Sequence, residues 1–198
     1  MIEAVLFDLD GTLVSYTACY ADFMNRLALR WGIEDPLDPF FGAYAAAIRA
    51  EGAVTFRSSI EAAMSVSGRP LPVDIDERCR QAVDEYAQGI SVLPGAYEVL
   101  DLYSEFPKAI VSNGPSDMQR AALAASNLAH LFDHVLMSGD EDVAVRKPNP
   151  AIFHLACQRL GVLPERTLMI GDNIEADIQG ARSAGLTAIH VSEVLKKY

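Results

Sequence analysis

Two aspartates stand one residue apart directly after the first apolar run of the chain. Asp8 and Asp10 lie in the stretch LFDLDGTLV, which spans Leu6 to Val14. Side chains alternate along an extended chain, so both carboxylates would point to the same side of a strand end. Carboxylates this close repel each other unless a cation joins them or one of them holds a proton. The pair therefore predicts a divalent metal ion combined with acid–base chemistry.

Polar groups that suit an anion and a metal ion follow three later apolar runs. In chain order they are Ser112 and Asn113, then Lys147, then Asp172, Asn173 and Asp177. Each group alone has a plain structural explanation as a polar turn, a solvated lysine or an acidic helix start. Together they bring a hydroxyl group, turn N–H groups, an ammonium group and further carboxylates to the ends of different predicted strands. This order favours one shared site over unrelated loops.

Magnesium fits this set of residues better than zinc does. The candidate ligands are hard carboxylate oxygens, which Mg²⁺ prefers. The four histidines show no ligand spacing; they are His130, His134, His154 and His190. Gly11 allows the backbone to turn sharply after the aspartate pair, and Thr12 can hydrogen-bond a neighbouring carboxylate.

Five short apolar runs predict buried strands, and helical patterns separate the later ones. The predicted strands are residues 4–7, 109–111, 135–137, 168–170 and 188–191, and the predicted helices are residues 96–106, 117–128, 151–160 and 175–184. Strands that alternate with helices imply right-handed crossovers and a parallel sheet with helices on both faces. Ligands of such a sheet bind at the carboxyl ends of its strands. The sequence therefore predicts an α/β fold with a doubly wound parallel-sheet core.

A long stretch with almost no strand pattern separates the first strand from the others. Amphipathic spacing predicts four helices there, over residues 20–31, 40–50, 58–66 and 76–88. We therefore expect an inserted four-helix cap domain over residues 15–91 and a core domain made of residues 1–14 and 92–198. The cap would close over the site through hinges near residues 14–16 and 91–94. Its polar candidates for substrate contact, which fit ordinary surface or core positions better, are Arg49, Arg57, Tyr44 and Tyr20.

The charge balance limits the partners of the chain. Its 198 residues carry a formal net charge of -11, and 51% of them are hydrophobic. Nucleic acid polymers and anionic membrane surfaces need a basic face, so neither is expected as a partner. No apolar run approaches the roughly 20 residues of a membrane span, and the N-terminus lacks a secretory signal, so we expect a cytoplasmic protein. An anionic ligand would need local neutralisation by a metal ion and a few cationic side chains.

The motifs resemble those of the haloacid dehalogenase superfamily, and the match spans nearly the whole chain. The four motifs of that superfamily match Asp8 to Thr12, Ser112 with Asn113, Lys147 with Pro148, and Gly171-Asp172 with Asp177. The helical insertion is similar to the cap of the first subclass, which includes phosphoglycolate phosphatases, β-phosphoglucomutases and nucleotidases. The resemblance implies a Rossmann-like core, a helical cap and a Mg²⁺-dependent phosphatase that acts on a small phosphorylated metabolite.

The resemblance also implies a role for each residue. Asp8 would be the nucleophile that forms an aspartyl phosphate, and Asp10 would be the general acid and base. The Mg²⁺ ligands would be the side chains of Asp8 and Asp172 and the backbone carbonyl of Asp10, supported by Asp177 or Asn173. The phosphate-binding residues would be Thr12, Ser112, Asn113 and Lys147, of which Ser112 and Lys147 would also take part in catalysis.

Other activities of the same fold stay open at this point. Dehalogenases of the superfamily look similar around Ser112 to Gly114, but they generally lack the second aspartate of the first motif. Asp10 favours a phosphatase, because an alkoxide leaving group needs an acid whereas a departing halide does not. A phosphomutase would use the same residues, and a non-catalytic binding module would share the fold.

The substrate and the oligomeric state are less well defined by the sequence. The run SNGPSDMQ after the second core strand looks like that of nucleotidases and sugar phosphatases, which favours a nucleoside monophosphate or a sugar phosphate. Many relatives carry an acidic residue near Ser15, and its absence here bears on the cap rather than on the core chemistry. A monomer and a homodimer both agree with the pattern.

Overall fold

A five-stranded parallel sheet forms the centre of the computed structural model, which describes residues 1–17 and 19–196. The strands of the chain are β1 (Ala4–Phe7), β2 (Val14–Tyr16), β3 (Ile90–Val92), β4 (Lys108–Ser112), β5 (His134–Met137), β6 (Thr167–Gly171) and β7 (Thr187–His190). The central sheet has the order β5-β4-β1-β6-β7, and β2 pairs with β3 in a separate antiparallel ribbon. All five predicted core strands are present, and the doubly wound α/β core is confirmed.

Helices cover both faces of the sheet and fill the stretch between β2 and β3. They are α1 (Tyr20–Arg30), α2 (Pro39–Ala47), α3 (Phe56–Val66), α4 (Ile75–Gln88), α5 (Ala96–Leu102), α6 (Ser116–Ser126), α7 (Pro150–Leu160), α8 (Gly180–Ser183) and α9 (Val191–Leu195). We call the part that contains α1 to α4 the helical segment. No helix in residues 1–17 and 19–196 is long and apolar enough to cross a membrane. The expected domain ranges include Ala18, Lys197 and Tyr198, which lie outside the described residues.

The strand order places the site residues next to one another. The chain runs from β1 to β4 and β5 on one side, and then crosses to β6 and β7 on the other, so the direction of winding reverses at β1. Phe7 at the end of β1 pairs with Ile110 on one side and with Ile170 on the other. The segments that follow β1, β4 and β6 therefore meet at the carboxyl edge of the sheet, where ligands of doubly wound folds bind.

Alternate side chains of β1 point to opposite faces of the sheet and belong to two different apolar clusters. Val5 and Phe7 belong to a large apolar cluster that also contains residues of the helical segment, such as Phe23 and Phe56. Leu6 points to the other face and packs in a second cluster with residues of α7 and α8. Each of these fully buried side chains contributes about 1.5–3 kcal/mol through its removal from water. The helical segment thus shares a continuous apolar core with one face of the sheet.

Three hydrogen bonds join the helical segment to the core near the start of α6. The N–H of Ser116 donates to the carbonyl of Val54 at 2.8 Å, and the N–H of Val54 donates to the carbonyl of Gly139 at 3.0 Å. The N–H of Phe56, at the first turn of α3, donates to Asp117 Oδ1 at 2.7 Å. The helical segment is therefore fixed to the core at this point as well as through the β2–β3 ribbon.

Three predicted helices differ from those observed. The helix predicted over residues 40–50 ends at Ala47. The helix predicted over residues 96–106 ends at Leu102, because the Lys108 ammonium group donates to the carbonyls of Tyr103, Ser104 and Phe106 in a tight turn before Pro107. The helix predicted over residues 175–184 begins as a π-helical turn, Ile174–Gln179, before it continues as α8. Such turns are frequent at functional sites.

Candidate active site

A cavity of about 290 Å³ opens at the carboxyl edge of the sheet. Its lining residues are Asp8, Asp10, Ser112, Asn113, Arg146, Lys147, Asp172, Asn173, Ala176 and Asp177. Every site residue predicted from the sequence lines this cavity except Thr12. Thr12 is buried beside it, and its hydroxyl group donates to Asp8 Oδ2 at 3.3 Å. The hydrogen bond expected from Thr12 to a neighbouring carboxylate is therefore present.

The Lys147 ammonium group lies between two buried carboxylates. Its Nζ atom is 2.6 Å from Asp8 Oδ1 and 2.6 Å from Asp177 Oδ1. Burial lowers the pKa of Lys147, but the charges of Asp8 and Asp177 outweigh this effect and raise it overall. The ammonium group therefore stays charged beside the expected nucleophile.

Three carboxylates form an acidic cluster within the described residues. Asp8, Asp172 and Asp177 each present an oxygen, and these oxygens lie within 4.8 Å of one another. Asp177 Oδ1 is buried and receives no hydrogen bond of good geometry, although the Lys147 ion pair reaches it. Three carboxylates against one ammonium group leave an excess of negative charge around hard oxygen donors. The residues present therefore fit a divalent cation such as Mg²⁺.

Burial disfavours the charged form of three carboxylates in the site, those of Asp8, Asp10 and Asp172. It raises the pKa of Asp8 to about 7, with Lys147 opposing the change and Asp177 adding to it. It also raises the pKa of Asp10, and the nearby Gln119 amide lowers that pKa in part. For Asp172 the pKa rises because of burial and then because of the charge of Asp177. Such crowding of partly desolvated acids is typical of functional sites.

Close backbone approach explains two glycines of the motifs. Gly11 has a φ of +78°, and a Cβ atom at this position would collide with the carboxylate of Asp172. A Cβ atom at Gly171 would collide with the carboxylate of Asp177. The sequence predicted a turn at Gly11, and the structure adds a second requirement for glycine, which is the space that the acidic cluster occupies.

Asn113 fixes the loop that carries Lys147. Its Nδ2 donates to the carbonyl of Lys147 at 2.8 Å, and the N–H of Lys147 donates to Asn113 Oδ1 at 2.9 Å. The side chain expected to bind phosphate thus joins two loops at the edge of the cavity. In the same way, Asn173 Oδ1 accepts from the N–H groups of Glu175 and Ala176 and caps the π-helical turn that presents Asp177.

Sequence reasoning did not identify Gln119 and Arg146. Ser112 Oγ donates to Gln119 Oε1 at 2.9 Å, so the buried Gln119 side chain bridges Ser112 and the surroundings of Asp10. The sequence feature that could have identified Gln119 is its position as a long polar residue on the buried face of α6, next to Met118, Ala122 and Leu123. Arg146 directly precedes Lys147, and nothing in the sequence distinguished it from a surface arginine.

The four polar candidates of the helical segment occupy different environments. Tyr20 and Arg49 line a second cavity of about 200 Å³ that adjoins the first. The hydroxyl groups of Tyr20 and Tyr44 lie 2.6 Å apart, which places Tyr44 behind Tyr20. Arg57 forms ion pairs with Glu61 and Asp76, away from both cavities.

Comparison with known proteins agrees with this fold and site. A family model described as haloacid dehalogenase-like hydrolase matches residues 2–185. The chain is 31% identical over 203 residues to phosphoglycolate phosphatase of Rhodospirillum rubrum, which covers 97% of this chain and 80% of that protein. It is 30% identical over 201 residues to glyceraldehyde 3-phosphate phosphatase of Methanothermobacter thermautotrophicus, which covers 98% and 88%.

A solved structure supports the same assignment. The HAD phosphatase of Thermococcus onnurineus superposes with a TM-score of 0.70 and 26% identity, over 94% of this chain and 85% of that one. The parallel sheet flanked by helices, with a cluster of aspartates at the carboxyl ends of its strands, is an α/β fold with the site of a hydrolase. The chain belongs to the haloacid dehalogenase-like hydrolase family, which confirms the resemblance of its motifs.

Proposed function

We propose that this chain is a Mg²⁺-dependent phosphatase that hydrolyses small phosphate monoesters through an aspartyl phosphate on Asp8. The observation that carries the proposal is the position of Asp8, whose carboxylate contacts the Lys147 ammonium group and belongs to the acidic cluster with Asp172 and Asp177. Full-length relatives named as phosphatases of phosphoglycolate and glyceraldehyde 3-phosphate support the reaction class.

In the first step, an oxygen of Asp8 attacks phosphorus and the bond from phosphorus to the ester oxygen breaks. An anionic nucleophile approaches a phosphate dianion only where positive charge offsets the repulsion. Lys147 supplies one such charge at 2.6 Å from Asp8. Thr12 holds the other carboxylate oxygen of Asp8 and so orients the attacking atom.

Asp10 moves the protons of both steps in this proposal. It donates a proton to the departing alkoxide, and then accepts one from the water molecule that attacks phosphorus and releases phosphate from Asp8. Burial raises the pKa of Asp10, which favours the protonated form that the first step needs. The requirement for such an acid favours a phosphatase over a dehalogenase.

Mg²⁺ would be held by the side chains of Asp8 and Asp172 and by the backbone carbonyl of Asp10. The carboxylate of Asp177 belongs to the same cluster as those of Asp8 and Asp172, so Asp177 is itself a candidate ligand of the ion and not only a support for the other ligands. Asn173 supports the site by capping the π-helical turn. The ion, when bound, supplies positive charge to the phosphoryl oxygens. Ser112 and the backbone at Asn113 would bind those oxygens on the other side of the cavity.

Residues 15–91 act as a cap in this proposal. Tyr20 and Tyr86, from α1 and α4, line the cavity that adjoins the site. Burial raises the pKa of each, and the charge of Asp10 adds to that rise. These rings would therefore restrict the access of water to the site from the side of the helical segment. The substrate would be a small phosphorylated metabolite, with a nucleoside monophosphate or a sugar phosphate as the sequence-based expectation.

The test is phosphate release from an aryl phosphate by the purified protein. We expect release in the presence of Mg²⁺, loss of release with EDTA, and loss of at least about a thousandfold in Asp8→Asn, because the nucleophile is removed. Asp142→Asn is the matched control, since Asp142 is a surface carboxylate paired with Arg159 outside the cavity. Release that resists EDTA, or that persists in Asp8→Asn, would contradict the mechanism.

A further inference from the structure

The second cavity lies on the side of the site that faces the helical segment. It shares Asn113 and Arg146 with the first cavity, and Tyr20, Tyr86 and Met118 form part of its walls. The first cavity holds the groups proposed to bind the phosphoryl group. The remainder of a bound ester would therefore extend into the second cavity, whose volume of about 200 Å³ suits a small group.

Two arginines line this second cavity, one from each side. Arg49 follows α2 in the helical segment, and Arg146 precedes Lys147 in the core. Arg146 Nη1 donates to the carbonyl of Ile48 at 3.0 Å, which fixes its guanidinium group beside the residue next to Arg49. The two cationic groups are thus brought together where the helical segment meets the core.

No acidic side chain of the described residues forms an ion pair with either arginine. Within residues 1–17 and 19–196, Arg49 and Arg146 form no ion pair, whereas most arginines of the chain do. Burial lowers the pKa of Arg146, the charge of Glu51 opposes this change, and the charge of Arg49 adds a smaller lowering effect. Two like charges that line one cavity, with no carboxylate in ion-pair contact with either, favour the binding of an anion.

The positions of the two arginines separate their functions. Arg146 lines both cavities, so it can also contact the phosphoryl group, whereas Arg49 lines only the second cavity. We propose that Arg49, together with Arg146, binds a second anionic group of the substrate, either a carboxylate or a second phosphate, on the leaving-group side. The planar guanidinium group matches both of these anions through paired hydrogen bonds.

This inference rests on the proposed phosphatase function and narrows its substrate class. A small phosphorylated acid or a bisphosphate would be preferred over a neutral sugar phosphate or a nucleoside monophosphate. The net charge of -11 repels a substrate with two anionic groups, so such a substrate needs local positive charge. Two arginines without an ion pair in one cavity supply that charge. The sequence-based expectation of a sugar phosphate or nucleotide is therefore the competing outcome.

The experiment compares kcat/KM for esters that differ in the second anion. The pairs are phosphoglycerate with glycerol phosphate, which tests a carboxylate, and a hexose bisphosphate with the hexose monophosphate, which tests a phosphate. We expect the wild-type protein to prefer the doubly anionic member of at least one pair by about tenfold or more, the effect of a charge-assisted hydrogen bond. In Arg49→Gln that ratio should fall towards one.

Arg57→Gln is the matched control, because it removes the same charge from the same segment outside both cavities, and it should keep the wild-type ratio. Preference for the neutral members or for a nucleoside monophosphate would overturn the inference, and so would an unchanged ratio in Arg49→Gln. Absence of all hydrolysis would instead reject the phosphatase function. In that case calorimetric binding of phosphoglycerate and glycerol phosphate, with and without Arg49→Gln, decides the preference for the second anion without turnover.

Discussion

Lys147 shows how one side chain organises the candidate active site. Its ammonium group contacts Asp8 and Asp177, and its backbone donates one hydrogen bond to the Asn113 side chain and accepts another from it. The burial of one ammonium group with several carboxylates costs several kcal/mol per ion, which the ion pairs repay only in part. Such a cluster is a poor way to stabilise a fold. It is therefore better explained by the chemistry that the charges can do together.

Gly11 offers a test of the acidic cluster at the scale of a single residue. Gly11→Ala introduces a Cβ atom at φ +78° against the carboxylate of Asp172. We expect a loss of about 1–2 kcal/mol of stability from the left-handed backbone. We also expect a 10- to 100-fold rise in the Mg²⁺ concentration that gives half-maximal phosphatase activity, roughly the effect of displacing a ligand.

Gly32→Ala is the matched control for the backbone effect. Gly32 has a φ of +76°, and a Cβ atom there would meet nothing within 4 Å. The control should lose stability in urea denaturation to a similar extent but keep its response to Mg²⁺. A Mg²⁺ response that is unchanged in Gly11→Ala would show that the approach of Gly11 to Asp172 is unimportant for the metal.

The sequence contained enough information to predict most site residues but not their contacts. Asp8, Lys147 and Asp172 follow separate strands, and the parallel topology alone brings those strand ends together. The bridge from Gln119 to Ser112 depends on how α6 packs against the sheet, which no local pattern reports. The partnership of Arg49 and Arg146 likewise joins distant parts of the chain and needs the folded structure.

At the scale of elements, the buried strands were the most predictable part of the fold. A strand buried on both faces is a continuous apolar run, as in Leu168 to Ile170, and such runs are distinct from amphipathic helices. The β2–β3 ribbon was missed because its strands have only three residues each and become stable by pairing with each other. The helix after Gly95 was predicted too long, because the apolar spacing does not show that the Lys108 side chain, at the start of β4, holds the carbonyls of residues 103, 104 and 106 in a turn.

Asp117 tests the attachment of the helical segment to the core. Its Oδ1 accepts from the N–H of Phe56 across the two parts and from its own neighbour Met118. Asp117→Ala leaves the N–H of Phe56 without its partner at the start of α3, so we expect a loss of about 1–3 kcal/mol in the free energy of unfolding. Asp117→Asn keeps an acceptor oxygen and should recover most of that loss.

The matched control for this substitution is Asp22→Ala. Asp22 also lies in the first turn of a helix, but it is exposed, so only its interaction with the helix dipole is lost, about 0.3–1 kcal/mol. Chemical denaturation measures all three variants. Equal losses for Asp117→Ala and Asp22→Ala would mean that the hydrogen bond to Phe56 does not hold the two parts together.

At the scale of the whole molecule, the net charge of -11 and a site for an anionic substrate have to be reconciled. Three cationic side chains, Lys147, Arg146 and Arg49, line the two adjoining cavities and offset part of the negative charge there. Elsewhere most arginines are paired with carboxylates on the surface, where such pairs contribute little to stability. A bound divalent cation would add to this local positive charge. The molecule as a whole therefore attracts the metal, whereas the substrate is attracted only locally, by these three side chains together with a bound cation.

An acidic protein gains stability from any cation that screens its charge, so the metal site must be separated from this general effect. We expect Mg²⁺ at about 100 times its dissociation constant to raise the free energy of unfolding by about 2.7 kcal/mol, because it binds only the folded state. KCl of equal ionic strength should give a much smaller change.

Asp172→Asn should lose the gain from Mg²⁺. Because burial and the charge of Asp177 raise the pKa of Asp172, this variant should also be at least as stable as the wild type without metal. Thermal unfolding measures each case, and an equal response of wild type and Asp172→Asn to Mg²⁺ would assign the stabilisation to screening of the whole molecule.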